Sequence, residues 1–458
     1  MKPTRARAAL LTLLLVASAA CSRDDDPDTE TGDTTSTTEG ESAATALDAG
    51  GFGDLEAVCQ EGDAAGATAP GVTDETITVG TMSDKGGPVA GLNEEMYDTA
   101  VAFTKWCNEH GGILGREIVL SDVDAKLFEY EPAVTDACGR DFALVGGGAV
   151  FDEDPNDVRI GCELPNIAGY VVSARARSAE QQVQPIPNTI YNIAMGRYNA
   201  AAREFPDSGD RYGIMASAIP SVLLVKQQST EVAQSKGFEV AYSFDYQSQN
   251  ETGWANFVRE MEDKDIKILE FIGQPQNLIQ LTDEMDIAGW QPDVILLSGN
   301  FYDDLYAQGA TTGSNLFIQS VFHPMEMADE NKATQDYLDL MDQYNPGGKV
   351  ALLGQQGLSS WLLFARAAAA CGSDLTAECL LTEAEAQEGW TGAGLHARQT
   401  PGNETPSPCF LLLGLDDTGF VYNEEATAPT EGLYNCDEDN VFEMTGDYSE
   451  YGAPPPEG

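Results

Sequence analysis

The side chains best suited to chemistry lie in short loops that follow apolar, strand-like segments. They carry hydroxyl, amide, carboxylate and aromatic groups next to glycines, a set typical of reversible binding to a small solute. The candidate ligand-binding residues are Ser83, Asp84, Gly147, Gly148, Ala149, Tyr170, Ser173, Pro220, Ser221, Gln274, Asn300 and Tyr302. In open α/β sheets a ligand binds outside the carboxyl ends of the strands, so we expect these loops to form one site.

Several of these candidates also have a purely structural interpretation. The glycines at 146–148 could bring backbone amides to a carboxylate, or could form a tight turn before a helix. Tyr170 could stack on a ligand or pack at a domain edge, and Ser173 could bind the ligand or cap the next helix. Asn300 and Tyr302 directly follow an apolar strand, which favours a role in binding.

The sequence offers little support for catalysis. Its three histidines, His110, His323 and His396, do not stand in a recognisable nucleophile arrangement. The chain also lacks the GxSxG, P-loop, GxGxxG and HExxH motifs and has no CxxC or His-Cys cluster. We therefore expect no enzymatic activity, no cofactor and no metal, with an exported hydrolase as the enzymatic alternative.

The elements that must position the loops alternate between strand and helix. Ile77 and Val79 alternate with threonines as in a strand, and from Asn93 to Cys107 apolar residues recur every three or four positions as on one helix face. The short apolar run 142–145 is typical of a strand buried on both faces. This order predicts an α/β fold with parallel sheets and crossover helices.

The residues from 71 to 145 also carry a family resemblance. The segment GVTDETITVG and the Gly-rich turn after it, followed by NEHGGILGREIVL, resemble the opening of type I periplasmic binding proteins. The most similar group is the branched-chain amino-acid substrate-binding family of ABC transporters, with its Asn-Glu-x-Gly-Gly-Ile-x-Gly-Arg pattern. The resemblance implies two Rossmann-like lobes with parallel central sheets, joined by a three-segment hinge.

The resemblance further implies how the chain is divided between the lobes. Chain length alone favours two lobes, because a single hydrophobic core rarely exceeds about 250–300 residues. The expected parts are residues 71–190 and 323–385 for lobe 1, 191–322 and 386–445 for lobe 2, and 446–458 as a disordered tail.

The function implied is that of a monomeric, extracytoplasmic solute-binding protein of an ABC importer. It would close about its hinge on an amino acid, an amide or a related compound and deliver it to an ABC permease. A ligand-sensing domain for a membrane receptor is the alternative. The loop at 147–151 lacks the hydroxyl residues that amino-acid binders of the family commonly place there, which favours a less polar or larger solute such as a small amide, an aromatic acid or a peptide-like compound.

The N-terminus has the pattern of an export signal. A basic start at 1–7 precedes a short apolar run at 8–17, and small residues lead to Cys21, as in a bacterial lipobox. The run is shorter than the roughly 20 residues of a membrane-spanning helix. We expect residues 1–21 to be a signal peptide and Cys21 to be lipidated, with plain secretion as the alternative. Residues 22–70 are expected to be an acidic disordered tether.

We therefore expect the protein to lie outside the cytoplasm, lipid-anchored at the outer face of the cytoplasmic membrane or in the periplasm. The acidic composition argues against nucleic acid as a partner. The formal net charge is −51, from 75 acidic and 24 basic residues, so the basic footprint of a nucleic-acid binder is missing.

The cysteine count fits an oxidising compartment. The chain has nine cysteines, and setting Cys21 aside leaves an even number that could all pair. Proximity in sequence favours Cys371–Cys379, Cys409–Cys436 and Cys138–Cys162, which leaves Cys59–Cys107 by elimination. The alternative is that some of these thiols are free and buried.

Overall fold

A computed structural model of the chain describes residues 47–89, 91–153, 156–310, 315–402 and 405–455. The predicted signal peptide, the lipidation site Cys21 and the first part of the predicted tether, up to residue 46, lie outside the described residues. Within the described ranges, no helix is both long enough and apolar enough to span a membrane.

The first lobe is built on a five-stranded sheet whose strands are all parallel, in the order β2-β1-β3-β4-β5. Its elements are β1 (Thr76–Ser83), α1 (Glu94–Glu109), β2 (Glu117–Asp124), α2 (Tyr130–Cys138), β3 (Ala143–Val145), α3 (Asn156–Gly161), β4 (Asn166–Ile167), α4 (Ala174–Arg177) and β5 (Gln182–Val183). Gly112 ends the turn after α1 with φ of 67°, and a Cβ there would lie 2.1 Å from the Arg116 carbonyl oxygen, so only glycine fits.

The chain then enters the second lobe, whose central strands are also parallel. These elements are β6 (Asn192–Ala194), α5 (Gly196–Glu204), β7 (Tyr212–Ser217), α6 (Pro220–Ser235), β8 (Val240–Tyr246), α7 (Trp254–Asp263), β9 (Ile268–Ile272), α8 (Pro275–Ala288), β10 (Val294–Leu297), α9 (Asp304–Gly309) and β11 (Leu316–Ser320).

Three helices return to the first lobe before the chain completes the second. They are α10 (Lys332–Tyr344), α11 (Leu352–Cys371) and α12 (Ala377–Glu385), of which α10 and α11 pack against α1, and α11 and α12 against the first sheet. The last elements are β12 (Cys409–Asp416), β13 (Gly419–Tyr422), α13 (Glu424–Thr427), β14 (Asn435–Cys436) and β15 (Val441–Glu443).

The second sheet has the order β13-β12-β11-β10-β9-β7-β8, and β14 pairs with β12. Strands β7 to β11 pair in parallel, whereas β12 to β14 are antiparallel additions at one edge. Strands β6 and β15 form a separate antiparallel pair. This arrangement confirms the predicted α/β fold with parallel central sheets and two lobes.

The third crossing between the lobes lies later than expected. Residues from 386 onward were assigned to lobe 2, yet Trp390 and His396 both hydrogen-bond the Ser359 hydroxyl on α11 of lobe 1. The same segment pairs with the outgoing chain through the Phe322–His396 bridge. Burial of these aromatic rings keeps the segment on lobe 1, so the crossing falls between residues 399 and 409.

The segment 47–70, expected to be disordered, is folded onto lobe 1. Phe52 is fully buried and its ring centroid lies 6.4 Å from that of Trp106. Cys59 bonds to Cys107 of α1, and Gln60 pairs with Ile113. The prediction weighed the acidic composition of residues 22–40 and gave too little weight to the apolar residues that follow.

The tail is ordered as well, from residue 446 to residue 455. Tyr448 is fully buried, and its hydroxyl donates a 2.5 Å hydrogen bond to the Glu231 carboxylate on α6. Tyr191 at the hinge donates to the carbonyl oxygen of Pro454. Aromatic burial therefore outweighs the turn-forming composition of this segment.

The described residues contain four disulfides, and these are the pairs that proximity and elimination gave. They join Cys59 to Cys107, Cys138 to Cys162, Cys371 to Cys379 and Cys409 to Cys436. Three lie within lobe 1 or tie its N-terminal segment down, and the fourth joins β12 to β14 in lobe 2.

The buried imidazole of His396 predicts an acid-sensitive contribution to stability. Its Nδ1–H donates to the Ala397 carbonyl, so Nε2 accepts from the Ser359 hydroxyl. Burial lowers the pKa of His396 from 6.5 to about 4. The unfolded chain therefore takes up this proton first as pH falls. The contribution, about 3 kcal/mol, is complete above pH 6.5 and is lost as pH falls towards 4.

Urea unfolding at pH 7 and pH 4.5 checks this expectation against a His396→Gln variant. The variant should be less stable at pH 7 but should lose less free energy of unfolding on acidification. Carboxylates titrate equally in both proteins, so an identical pH dependence would contradict the assignment.

Candidate functional site

A cleft of about 400 Å³ lies between the two lobes, at the carboxyl ends of both sheets. Most of its wall is apolar. Val150, Val171 and Leu353 contribute from lobe 1, and Ile219, Val222 and Ile272 contribute from lobe 2. A mostly apolar concavity of this size with a few polar groups is the usual form of a small-molecule site.

Arg177 is the most unusual charged group of the lobe 1 wall. Ser173 caps α4 by accepting a hydrogen bond from Ala176 N, which fixes the helix that carries Arg177. The Arg177 Nε donates to the Val172 carbonyl oxygen at 2.9 Å, and Nη1 donates across the cleft to Gln228 Oε1 of lobe 2 at 3.1 Å. The residue is only 9% exposed. Burial lowers the pKa of Arg177 to about 10, so it remains a cation at neutral pH.

A second polar contact crosses the cleft at Lys349. Its ammonium lies 3.0 Å from Glu95 Oε2 of α1 and 2.8 Å from Asp303 Oδ2 of lobe 2. The Glu95 side chain is buried, and this desolvation raises its pKa although the Lys349 charge opposes the shift. All three residues line the cleft.

Arg197 at the start of α5 completes the set of cations in the wall. Its Nη2 donates to Glu270 Oε1 at 2.9 Å, and the same carboxylate accepts from Tyr198 at 2.7 Å and from Ser229 at 2.9 Å. Glu270 is therefore buried with several donors, as a buried charge requires.

Two neutral side chains in the wall have unused hydrogen-bonding groups. Asn93 caps α1 in a left-handed conformation with φ of 56°, and its Nδ2 has no partner within the described residues. The Ser217 hydroxyl at the end of β7 is buried and also has no partner there. The Ser217 hydroxyl is free to bind a solute, whereas the Asn93 side chain also lies beside the Tyr170 hydroxyl.

Of the predicted ligand-binding residues, Tyr170, Gln274 and Asn300 line the cleft. The Asn300 side chain is fixed by donating to the Gly273 carbonyl oxygen at 3.0 Å and accepting from the Ser298 hydroxyl at 2.6 Å. The structure brings these three residues together from both lobes.

The residues predicted in the first lobe 1 loops lie behind the wall. Ser83 and Asp84 are buried, and the Asp84 carboxylate accepts from Leu127 N at 2.8 Å and Val150 N at 2.7 Å. Asp84 therefore holds the loop that presents Val150 to the cleft.

Gly147, Gly148 and Ala149 also fall outside the cleft, because their close packing leaves no room for a ligand. A Cβ at Gly148 would lie 2.3 Å from the Tyr170 ring, so this glycine is needed for packing. Ala149 is buried on the far side of Tyr170.

Three more predicted residues occupy helix starts away from the cleft. Ser173 acts as the cap of α4, which is its structural alternative. Pro220 and Ser221 begin α6 and line a separate small cavity beside Tyr451 of the C-terminal segment.

Tyr302 is buried and does not line the cleft. It is 1% exposed, and its ring packs edge-on against Phe420. The hydroxyl accepts a hydrogen bond from Met325 N and donates to the Glu326 carboxylate. The chain turns after Asn300, which sends Tyr302 into the protein and not toward the ligand.

The sequence analysis selected loops that directly follow strands, and this criterion missed the charged residues of the wall. Arg177 lies on a short helix one turn beyond the selected loop, and Lys349 comes from the segment before α11, which follows no strand. The signal that could have indicated Lys349 is its type, because cations are scarce in this acidic chain.

Two α/β lobes with parallel sheets, several chain crossings and a solute-sized cleft between them define a two-lobed binding protein. The fold is similar to that of a fatty acid ABC transporter substrate-binding protein from Thermomonospora curvata. The TM-score is 0.67 at 17% identity, over 81% of this chain and 95% of that chain.

Two other solved structures are similar over 76% of this chain. LivJ from Streptococcus pneumoniae, a branched-chain amino acid transporter substrate binding protein in complex with isoleucine, has a TM-score of 0.62, 14% identity and 100% of its own chain covered. A solute binding protein from R. palustris in complex with 4-hydroxybenzoate has a TM-score of 0.61, 12% identity and 96% of its chain covered.

The sequence family described as periplasmic binding protein matches residues 189–419, about half of the chain. Comparison with curated protein sequences gives no match. This chain belongs to the periplasmic binding protein family, whose members bind solutes outside the cytoplasm and are not enzymes.

The buried position of Tyr302 predicts that its substitution affects stability and not ligand affinity. Tyr302→Phe removes the partner of the Met325 N–H and should cost about 1–3 kcal/mol. Tyr302→Ala should cost about 3–5 kcal/mol, because it also leaves a cavity. Urea unfolding measures both changes.

Tyr170→Phe is the matched control, because Tyr170 lines the cleft. It should change the dissociation constant of a bound solute, whereas Tyr302→Phe should leave it unchanged. A weaker affinity in Tyr302→Phe at unchanged stability would return Tyr302 to the binding site.

Proposed function

We propose that this protein is the solute-binding component of an ABC importer and captures a small amphipathic solute in the interlobe cleft. The observation that carries the proposal is the lining of the cleft, where an apolar wall meets the Ser217 hydroxyl, the Asn93 amide and the Arg177 guanidinium. A solute with an apolar body and a few polar groups matches this surface.

The capture proceeds by hinge closure. Arg177 to Gln228 and Lys349 to Asp303 are polar contacts that join the two lobes across the cleft. A solute that touches both walls adds further contacts available only when the lobes are together. The closed form is then favoured by the difference in contacts between the two states.

The range of solutes is suggested by the similar proteins and by the cleft itself. The names and bound ligands of those proteins include fatty acid, isoleucine and 4-hydroxybenzoate. Val150 stands in the wall where amino-acid binders of the family commonly place hydroxyl groups, which favours a solute with a large apolar part.

A solute panel tests the binding function. The chain from residue 22 is screened by thermal shift against amino acids, amides, peptides, aliphatic and aromatic acids and sugars. A solute at 100 times its dissociation constant should add about 2.7 kcal/mol of stability. No stabilisation by any member, together with no binding in calorimetry, would contradict the proposal.

A matched pair of variants ties the binding to the cleft. Val222→Trp fills the cleft from α6 and should abolish the thermal shift. Val119→Trp makes the same substitution on the exposed face of β2 and should leave the shift intact. Equal shifts in both variants would place the solute elsewhere.

Import and anchoring are tested together in the producing cell. We propose that lipidated Cys21 holds the protein at the membrane, so Cys21→Ala should release it into the soluble fraction and lower uptake of the bound solute. Deletion of the protein should abolish high-affinity uptake. Uptake that survives deletion would favour a sensing role, and an unchanged membrane fraction in Cys21→Ala would contradict the anchor.

A further inference from the structure

The charge of the cleft differs from the charge of the whole chain. The chain carries a formal net charge of −51, yet three of its few cations line the cleft. They are Arg177, Arg197 and Lys349, and they face the carboxylates of Glu95 and Asp303 in the same lining. Cations are therefore a larger share of the charged residues in the lining than in the chain as a whole.

The two carboxylates of the lining share one lysine as their cation. The Lys349 ammonium lies between them, 3.0 Å from Glu95 and 2.8 Å from Asp303. This is the environment that an ammonium group of a solute would need. Because Lys349 fills it from within the protein, neither carboxylate is left for a solute cation.

Arg197 is also neutralised within the protein. Its guanidinium pairs with the buried Glu270 carboxylate, which is held in turn by the hydroxyls of Tyr198 and Ser229. This pair contributes no net charge to the cleft.

Arg177 is the cation that remains. Its Nε and Nη1 are used by neutral acceptors, Val172 and Gln228, and within the described residues Nη2 donates to no group. Asp152 is its nearest electrostatic partner but forms no salt bridge with it, since the two carboxylate oxygens accept from Val172 N and Ser173 N at 2.8 Å each. Asp152 therefore balances part of the Arg177 charge without a direct contact, and the direct pairing position at Nη2 is open to a solute carboxylate.

We propose that the cleft selects an organic anion, a carboxylate with an apolar body and no amino group. The carboxylate binds Arg177, and Lys349 excludes zwitterionic amino acids by occupying the acidic pair. This assignment rests on the proposed solute-binding function and narrows its ligand class.

Solutes that share one apolar body and differ in their polar end provide the first test. The series is 4-methylpentanoate, 4-methylpentanamide, L-leucine and 3-methylbutylamine, with 3-phenylpropanoate, its amide and L-phenylalanine as an aromatic series. In calorimetry with the chain from residue 22, the carboxylate of each series should bind about 10- to 100-fold more tightly than its amide and its amino acid.

Two outcomes of this series overturn the assignment. One is an amino acid or amide that binds as tightly as its carboxylate. The other is that neither carboxylate binds. If other solutes of the wider panel still bind, the solute-binding function stands and only the anion selectivity falls.

Variants at the two key residues provide the second test. Arg177→Gln should weaken carboxylate binding about 10- to 100-fold and leave amide binding unchanged. Arg175→Gln is the matched control on the same helix, because Arg175 is exposed and outside the cleft. Arg177→Lys keeps the charge and should retain most of the affinity. This variant replaces Arg177→Gln in the comparison if Arg177→Gln does not fold.

Lys349→Met should act in the opposite direction, because it leaves Glu95 and Asp303 without their internal cation. The ratio of leucine affinity to 4-methylpentanoate affinity should rise about tenfold or more. An unchanged ratio would show that Lys349 does not set the selectivity.

Discussion

The rest of the structure depends on one constraint. The two parallel sheets face each other at the carboxyl ends of their strands. Loops at these ends cannot pack against a helix layer, so they form the walls of a cleft. The chain also has to cross between the lobes repeatedly. It does so once near β6, once after β11 and once before β12, and the last two crossings run side by side at the Phe322–His396 bridge. These connections hold the walls opposite one another.

The order of strands and helices could be predicted because each has a clear period. Apolar strands such as 294–297 and 316–320 are buried on both faces, and the helices between them show one apolar stripe. Disorder was harder to predict. Phe52 and Tyr448 lie in polar segments but are fully buried, and the Cys59–Cys107 disulfide also holds the Phe52 segment on lobe 1.

The site could be predicted only in part, because sequence gives the end of a strand but not the direction of the side chains after it. Asn300 faces the cleft, whereas Tyr302, two residues later, faces the core. Lys349 reaches the cleft from the segment before α11, where the chain has returned to lobe 1. No local sequence pattern marks that position. Its role depends on a contact between residues more than 250 positions apart in sequence, Glu95 and Lys349.

Electrostatics connects the acidic composition to the cleft. A strongly negative surface repels anions over a distance of about one Debye length, roughly 8 Å at physiological salt. Arg177 lies inside the wall, where neighbouring protein excludes water and the interaction with a carboxylate is stronger than at the surface. The pocket can thus bind a ligand that the average surface would repel, and the low local dielectric favours charge pairing over solvation.

The measurement that tests the central claim most directly is hydrogen–deuterium exchange with and without the tightest-binding solute of the panel. If the solute lies between the lobes, protection should increase together in 91–95 and 170–177 of lobe 1 and in 217–229 and 272–276 of lobe 2. Protection confined to one lobe, or found only outside these four segments, would contradict a ligand site between the lobes.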